Sequence, residues 1–506
     1  MRFDYRSRSS LPRLAWCARI RRGAGDIVVD HGPWVETGAH RFVEGAWDGP
    51  FDASLPSSAI ACFGSGGELV ENGVRFVTPT HMLERLHLIR RGEEIVISNS
   101  LVFALVVAGE EIDPAYKYYH FDLMTNMRGY RRYRPSVRTK SGGEVRVFMH
   151  CNVFIDQALT IHVEDKSLPP EFTNYDHYIG YLRDTVRAVN DNAEHTARCR
   201  RYPPIATISS GYDSPAVALL ASEVGCREAI TFGRARPGYD EEDDSGAEIA
   251  AALGLRVLEF DRLTYQTLDS FPEAEFLACG AGGEEVVFAP LADVLGGRTL
   301  YTGYLGDAVW NRVSRRVNTE LLMLYPGGSS LTEFRLRSGF IHFPVPTLGY
   351  IRHPSIYAIS NSEPLRPWVL GTDYDRPIPR RLLEEAGVPR TAFGRTKKAI
   401  TQPLWNTDAL DRVFTPRSYE DFRRYIQRFP IFEGGIDRLT FRALRAAYEV
   451  NLRVNWRLQA LGRPLGIHVD ERPLVSERYS QELGPSALTF HWGVNRLRSR
   501  YAETAG

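Results

Sequence analysis

The sequence predicts a mixed architecture, α+β followed by α/β: a layered, β-rich N-terminal region and, after it, a region built on a parallel sheet flanked by helices. Three observations predict it. From Asp26 to Val163, short runs rich in β-branched residues are divided by glycine, proline and asparagine. From Tyr175 onward, strand-like and helix-like runs alternate. Between them lies Glu164-Asp-Lys-Ser-Leu-Pro-Pro170, which is polar, holds two prolines and ends the strand pattern. A chain of 506 residues also exceeds what one ordinary core organises.

In order, β-type runs are expected at Ile27–Val29, Val74–Thr78, Glu94–Ser98, Glu144–Phe148 and Leu159–Val163, with Gly64-Ser-Gly-Gly67 and Gly142-Gly143 as separators. One helix is expected after Asn99, through Leu101, Leu105 and Val106. Past the boundary, Tyr178, Leu182, Val186 and Val189 recur on one helical face, and Asn174 suits the cap. Ile205–Ser209 then reads as a strand, Pro215–Val224 as a helix closed by Gly225, and Glu228–Phe232 as a second strand. Ser245–Leu253 reads as a helix ended by Gly254, with Ser245 and Glu248 at capping-box spacing; Leu255–Phe260 and Arg298–Thr302 read as further strands. Strands separated by single helices imply right-handed crossovers and a ligand at the strands' carboxyl ends. Beyond Asp307 the pattern is mostly helical, including Pro379–Glu385 and Asp437–Leu461. The expected division is 1–165, 174–415 and a helical extension over 416–506.

Composition narrows the partners. Lys plus Arg and Asp plus Glu both number 62, so no global field attracts nucleic acid or an anionic membrane. Six cysteines are scattered without metal-ligand spacing and read as reduced thiols of a cytoplasmic protein. No apolar run reaches the roughly 18 residues of a spanning helix. The expected partners are small molecules, with a homodimer left open.

The chemistry concentrates in two turns. Ser209-Ser-Gly-Tyr-Asp-Ser214 follows the first strand of the alternating region and leads straight into a helix. Backbone N–H groups and hydroxyls at a helix N-terminus favour an anion such as a phosphate. Thr302-Gly-Tyr-Leu-Gly-Asp307 follows a later strand and also ends in an aspartate past a glycine-bearing turn. Asp213 and Asp307 together suit Mg²⁺, which takes few protein carboxylates and completes its shell with phosphate oxygens and water.

The pair resembles the asparagine synthetase-like amide-forming ligases built on an ATP pyrophosphatase fold. Ser209, Ser210, Gly211, Tyr212, Asp213 and Ser214 match that family's pyrophosphate loop. Thr302, Gly303, Tyr304, Leu305, Gly306 and Asp307 match its second signature, and Arg395-Thr-Lys-Lys398 its downstream basic one. The resemblance covers about Tyr175 to Ile400. It implies an adenine nucleotide α-hydrolase-like domain with ATP and Mg²⁺ as cofactors, preceded by a glutaminase-like (Ntn-type) domain, to which Val96-Ile-Ser-Asn-Ser100 is similar. The implied reaction is attack of a substrate carboxylate on the α-phosphate of ATP, then of an amine or ammonia on the acyl-adenylate, giving an amide, AMP and pyrophosphate. By this likeness Asp213 and Asp307 hold the metal, Ser209, Ser210, Gly211, Ser214 and Gly303 meet the phosphates, and Phe232 and Gly233 bring backbone to the adenine. Lys397 is the phosphate-directed lysine, with Lys398 next in line.

Four departures refine this expectation. Residue two is Arg2, where glutamine-dependent members carry the nucleophilic cysteine, and Cys17 does not replace it, so the first domain is expected to lack glutaminase activity. Tyr304 replaces a glutamate of asparagine-forming members and is similar to the tyrosine of β-lactam and carbapenam synthetases, which pairs with a glutamate to deprotonate the amine. Glu333 is the expected partner, since tyrosine with a pKa near 10 is a poor base alone. Ser210 replaces a loop glycine, at a cost of about 1 kcal/mol if that position needs positive φ. Ala308 stands where an acidic residue often follows the metal aspartate. A catalytically silent nucleotide-binding or scaffold homologue is the competing reading. The acidic run Asp240-Glu-Glu-Asp-Asp244 is expected to solvate and favour the following helix start, with binding of an amine as its alternative.

Overall fold

The computed structural model describes residues 1–235, 243–314, 316–323, 327–372, 374–393, 398–404, 410–429 and 485–502, with short runs between 439 and 458. The chain is mixed α+β, with the β-rich region first and a parallel sheet after it. Most of Asp437–Leu461 lies outside the described residues, as do Lys397 and Asp240 to Glu242. No helix among the described residues is long and apolar enough to cross a membrane.

The N-terminal region is a two-sheet sandwich. One sheet has seven strands in the spatial order Arg2–Ser7, Asp26–His31, Trp16–Arg21, Glu94–Ser98, Leu86–Arg91, Glu144–Phe148, Ser136–Arg138. The other has six, ordered Ile161–Asp165, Cys151–Asp156, Gly73–Val77, Cys62–Val70, Arg41–Trp47, Glu36–Thr37. Alternate side chains such as Ile27 and Val29 point into the sandwich, where Trp16 packs on Phe42 and Phe76 at ring separations of 5.0 and 5.8 Å. The helix Leu101–Val107, capped by Ser100, covers the first sheet.

The expectation that Gly64-Ser-Gly-Gly67 separates strands is overturned, since it lies inside Cys62–Val70. Gly64 pairs with Gly45 across the ladder, with φ of 108° and 142°, and a Cβ on Gly64 would sit 2.0 Å from the Glu44 carbonyl oxygen. Glycine marks a close backbone approach here, not a turn.

The parallel sheet contains β1 (Pro204–Thr207), β2 (Glu228–Phe232), β3 (Arg256–Phe260), β4 (Thr299–Thr302) and β5 (Ile341–Pro344), in the order β3-β2-β1-β4-β5. Every adjacent pair is parallel. The fifth strand was not expected from the sequence: its run is short, ends in Pro344 and is buried on both faces, so it shows no alternation. Helix α1 (Tyr175–Ala193) begins at Asn174, whose side chain accepts from the His177 N–H at 2.9 Å, and packs against Arg41–Trp47. Helix α2 (Asp213–Ser222) follows β1, and α3 (Ala247–Ala252) follows β2. The capping box expected at Ser245 does not form. Gly246 occupies the cap, and the Ser245 hydroxyl instead accepts from the Ala247 N–H at 3.3 Å.

The last residues, from which little could be expected, fasten both regions. Helix Thr489–Leu497 lies on Pro272–Leu277, and Trp492 Nε1 donates to Asp421 at 2.9 Å. Glu273, in that same Pro272–Leu277 helix, is fully buried and accepts from the Ser418 hydroxyl and the Thr415 N–H. Burial pushes its carboxyl up from an ordinary 4.5 to about 7, against those hydrogen bonds. The folded chain therefore holds this proton more tightly than the unfolded one. The resulting stability is fully present below pH 4.5 and is lost as pH rises to about 7. Urea denaturation across that window should show stability falling with pH, and Glu273→Gln should flatten the fall; an unaltered slope in the variant would refute the assignment.

Candidate functional site

In a sheet ordered 3-2-1-4-5 the connections leave β1 and β4 in opposite directions, and a crevice opens between their carboxyl ends. Both glycine-bearing turns emerge there, and a cavity of about 480 Å³ lies between them. Ser209, Gly211, Asp213, Ser214, Thr302, Gly303, Tyr304 and Asp307 all line it.

The two turns shape each other. A Cβ on Gly303 would lie 2.6 Å from the Ser214 nitrogen, and one on Gly306 2.5 Å from the Asp213 carboxyl carbon. The glycines of the second turn therefore exist to let the first approach it. In the first turn, Ser209 Oγ and Ser214 Oγ are 2.9 Å apart, and the Gly211 N–H donates to Ser209 Oγ at 3.3 Å. Tyr212, at the cap position of α2, offers no side-chain acceptor to that helix's first N–H groups. Asp213 and Ser214 thus carry first-turn N–H groups with no side-chain cap, Pro215 carries none, and the Ala216 N–H donates to the Tyr212 carbonyl at 3.1 Å. Leu305 takes the left-handed conformation at φ 68°, a strained state for leucine of the kind that gathers at functional sites.

Ser210 is not strained. Among the described residues it is absent from the positive-φ set, so the expected glycine penalty does not arise. Its hydroxyl donates to Asp244 at 2.9 Å and its N–H to the Asp244 carbonyl at 3.2 Å. The end of the acidic run thus braces the phosphate-type turn, beyond the solvating role expected of it.

The other expected residues divide. Phe232 lines the cavity beside Ile230 and Phe288, its ring 5.7 Å from that of Phe288, whereas Gly233 is not part of the lining. Lys397 lies outside the described residues. Lys398 lines the cavity, and its ammonium donates to the Asp243 carbonyl.

Glu333 is not the partner of Tyr304. It is buried in another site, where it accepts from Ser100 Oγ at 2.6 Å and Tyr501 OH at 2.7 Å, joining the N-terminal region to the C-terminal segment. Sequence separation alone placed it near Tyr304, and the turn of helix Thr332–Ser338 aims it away. Burial pushes the Tyr304 phenol well above its ordinary 10, and the nearby carboxylates of Glu285 and Glu284 add to the rise. Glu285 is fully buried and holds the Gly328 and Ser330 N–H groups, so Glu284, half-buried in the cavity lining, is the accessible one.

Two residues with no sequence signal also shape the site. Tyr374 lines the cavity, and a Cβ on Gly211 would approach its hydroxyl to 2.7 Å. Arg376 forms a buried ion pair with Asp213 Oδ2, while Asp213 Oδ1 is buried without a hydrogen-bond partner.

Among the described residues no group of three or more His, Cys, Asp or Glu side chains is arranged to hold a metal. Two carboxylates, one with an unsatisfied buried oxygen, nevertheless suit a Mg²⁺ that brings phosphate oxygens and water with it. No family model matches the chain, and no curated protein matches it.

Proposed function

We propose that this protein is an ATP-dependent, AMP-forming carbon–nitrogen ligase, which activates a substrate carboxylate at the α-phosphate and joins it to an amine or ammonia. One observation carries the reading: two aspartate-ending turns from different strands meet at the switch point of a parallel sheet, around one cavity that also receives a lysine. The asparagine synthetase-like resemblance of the same turns points the same way.

In this reading the turn Ser209–Ser214 and the N-terminus of α2 cradle the pyrophosphate, and Asp213 and Asp307 hold the cation. Bound Mg²⁺ would neutralise charge on the phosphate oxygens. The apolar end formed by Ile230, Phe232 and Phe288 suits the adenine ring. Lys398, which lines the cavity, directs positive charge at the phosphates, where charge builds in the transition state. Tyr304, protonated at neutral pH, orients the attacking amine, and Glu284 takes its proton. Cys17 is not available as a glutaminase nucleophile in this reading, since it is fully buried with its thiol pushed well above its ordinary value by burial.

Purified protein incubated with ATP, Mg²⁺ and pooled carboxylates and amines is expected to release AMP and pyrophosphate. The silent reading draws on one observation, the Arg376 guanidinium already paired with Asp213. It would be upheld by ATP binding without AMP under every pool. Within the ligase, Glu284→Gln should lower turnover about 10²- to 10⁴-fold, the usual loss of a general base. Glu333→Gln should leave turnover nearly unchanged while lowering thermal stability. The reverse pattern would return the base to Glu333.

A further inference from the structure

We propose that Arg376 is a positioning residue that occupies the cation place of the site, holding Asp213 until a metal-bound polyphosphate displaces it; the proposal rests on the ligase reading for its consequence but not for its geometry. The guanidinium and the carboxylate are both largely removed from water, with side-chain exposures of 4% and 12%. A buried carboxylate without a counter-ion is costly, and Arg376 is the positive group in contact with it. Only Oδ2 is engaged, however. Oδ1 is buried and unsatisfied, so the arginine neutralises Asp213 without filling its coordination.

The backbone at Arg376 is anchored, so any exchange of partners falls to its side chain. The preceding residue, Asp375, is fully buried, accepts from the Leu370 and Gly371 N–H groups at 3.1 and 2.9 Å, and pairs with Arg312 at 3.3 Å. Arg376 itself ends this anchored turn at the start of helix Pro377–Glu385, which packs on α2. Its guanidinium already lies 4.6 Å from the ring of Tyr374, which lines the cavity and gives the displaced cation an apolar and π-rich resting face. Once displaced, its planar fork would suit bidentate recognition of the phosphate oxygens. The pair thus neutralises Asp213 and makes metal binding depend on the nucleotide.

The test is Mn²⁺ titration of the full-length protein by electron paramagnetic resonance, without and then with ATP. Without nucleotide, Arg376→Gln should bind Mn²⁺ about ten-fold more tightly than wild type, because the competing cation is gone. With Mn-ATP the variant should instead bind about ten-fold more weakly, having lost the phosphate contact. Arg376→Lys, which keeps the charge but not the fork, should fall between the two and guards against a glutamine variant that fails to fold. Equal nucleotide-free Mn²⁺ affinities in folded wild type and either variant would overturn the proposal. Failure of the ligase reading looks different: no AMP from wild type under any substrate pool, with the metal-only contrast intact.

Discussion

Asp213→Asn is expected to reduce substrate-dependent AMP formation about 10²- to 10³-fold, the scale on which removal of one preorganised electrostatic group lowers turnover. Asparagine is the right probe because it preserves the volume beside Gly306 and leaves an acceptor for Arg376. Alanine would also strand a buried guanidinium, at about 3–5 kcal/mol, and confuse lost chemistry with lost folding. Asp307→Asn should act in the same direction and, because the two carboxylates serve one site, with less than multiplicative loss in the double variant. Release of AMP and pyrophosphate by wild type, Asp213→Asn and Asp307→Asn, each verified as folded by circular dichroism, decides the matter. AMP formation at the wild-type rate in both variants would remove these aspartates from the chemistry.

The largest expected effect on stability lies away from the cavity. Arg335, 1% exposed, donates to Glu44 at 2.6 and 3.1 Å and pairs with Glu84 at 2.7 Å, where helix Thr332–Ser338 meets the N-terminal sheets. Ser65 and Asn99 donate to the same Glu44 at 2.6 and 3.2 Å. Arg335→Met removes the positive charge that pairs with two buried carboxylates, and should destabilise the protein by about 3–5 kcal/mol in urea denaturation. Burial already pushes the Glu84 carboxyl up, so without the arginine it should take up a proton and recover part of the loss at lower pH. The triple variant Glu44→Gln, Glu84→Gln, Arg335→Met, which removes all three charges, should lie closer to wild type than Arg335→Met alone. A single variant as stable as wild type would show that the network is dispensable.

The sequence by itself determined what local chemistry can determine. Short β-type runs divided by glycine, proline and asparagine read as strands, and Asn174 as a cap because its side chain reaches the next turn's N–H. Two turns ending in aspartate could be singled out because they occur together, each after a strand of the alternating region, whereas either alone reads as a loop with a helix cap. Tertiary structure decided whatever depends on which distant residues meet. Gly64 to Gly67 read as a separator between strands until the close backbone, 2.0 Å from where a Gly64 Cβ would sit, explained the missing side chain. Glu333 stood at a plausible separation from Tyr304, yet helix direction sends it to Ser100 and Tyr501, and Glu284 arrives from another segment. Arg376, an arginine before a proline in the sequence, becomes the counter-ion of the cavity's aspartate only when its helix packs on α2. Propensity and capping act over a few residues and leave a mark in the sequence, whereas the pairing of buried charges is set by desolvation in the finished core, to which neighbouring residues contribute little.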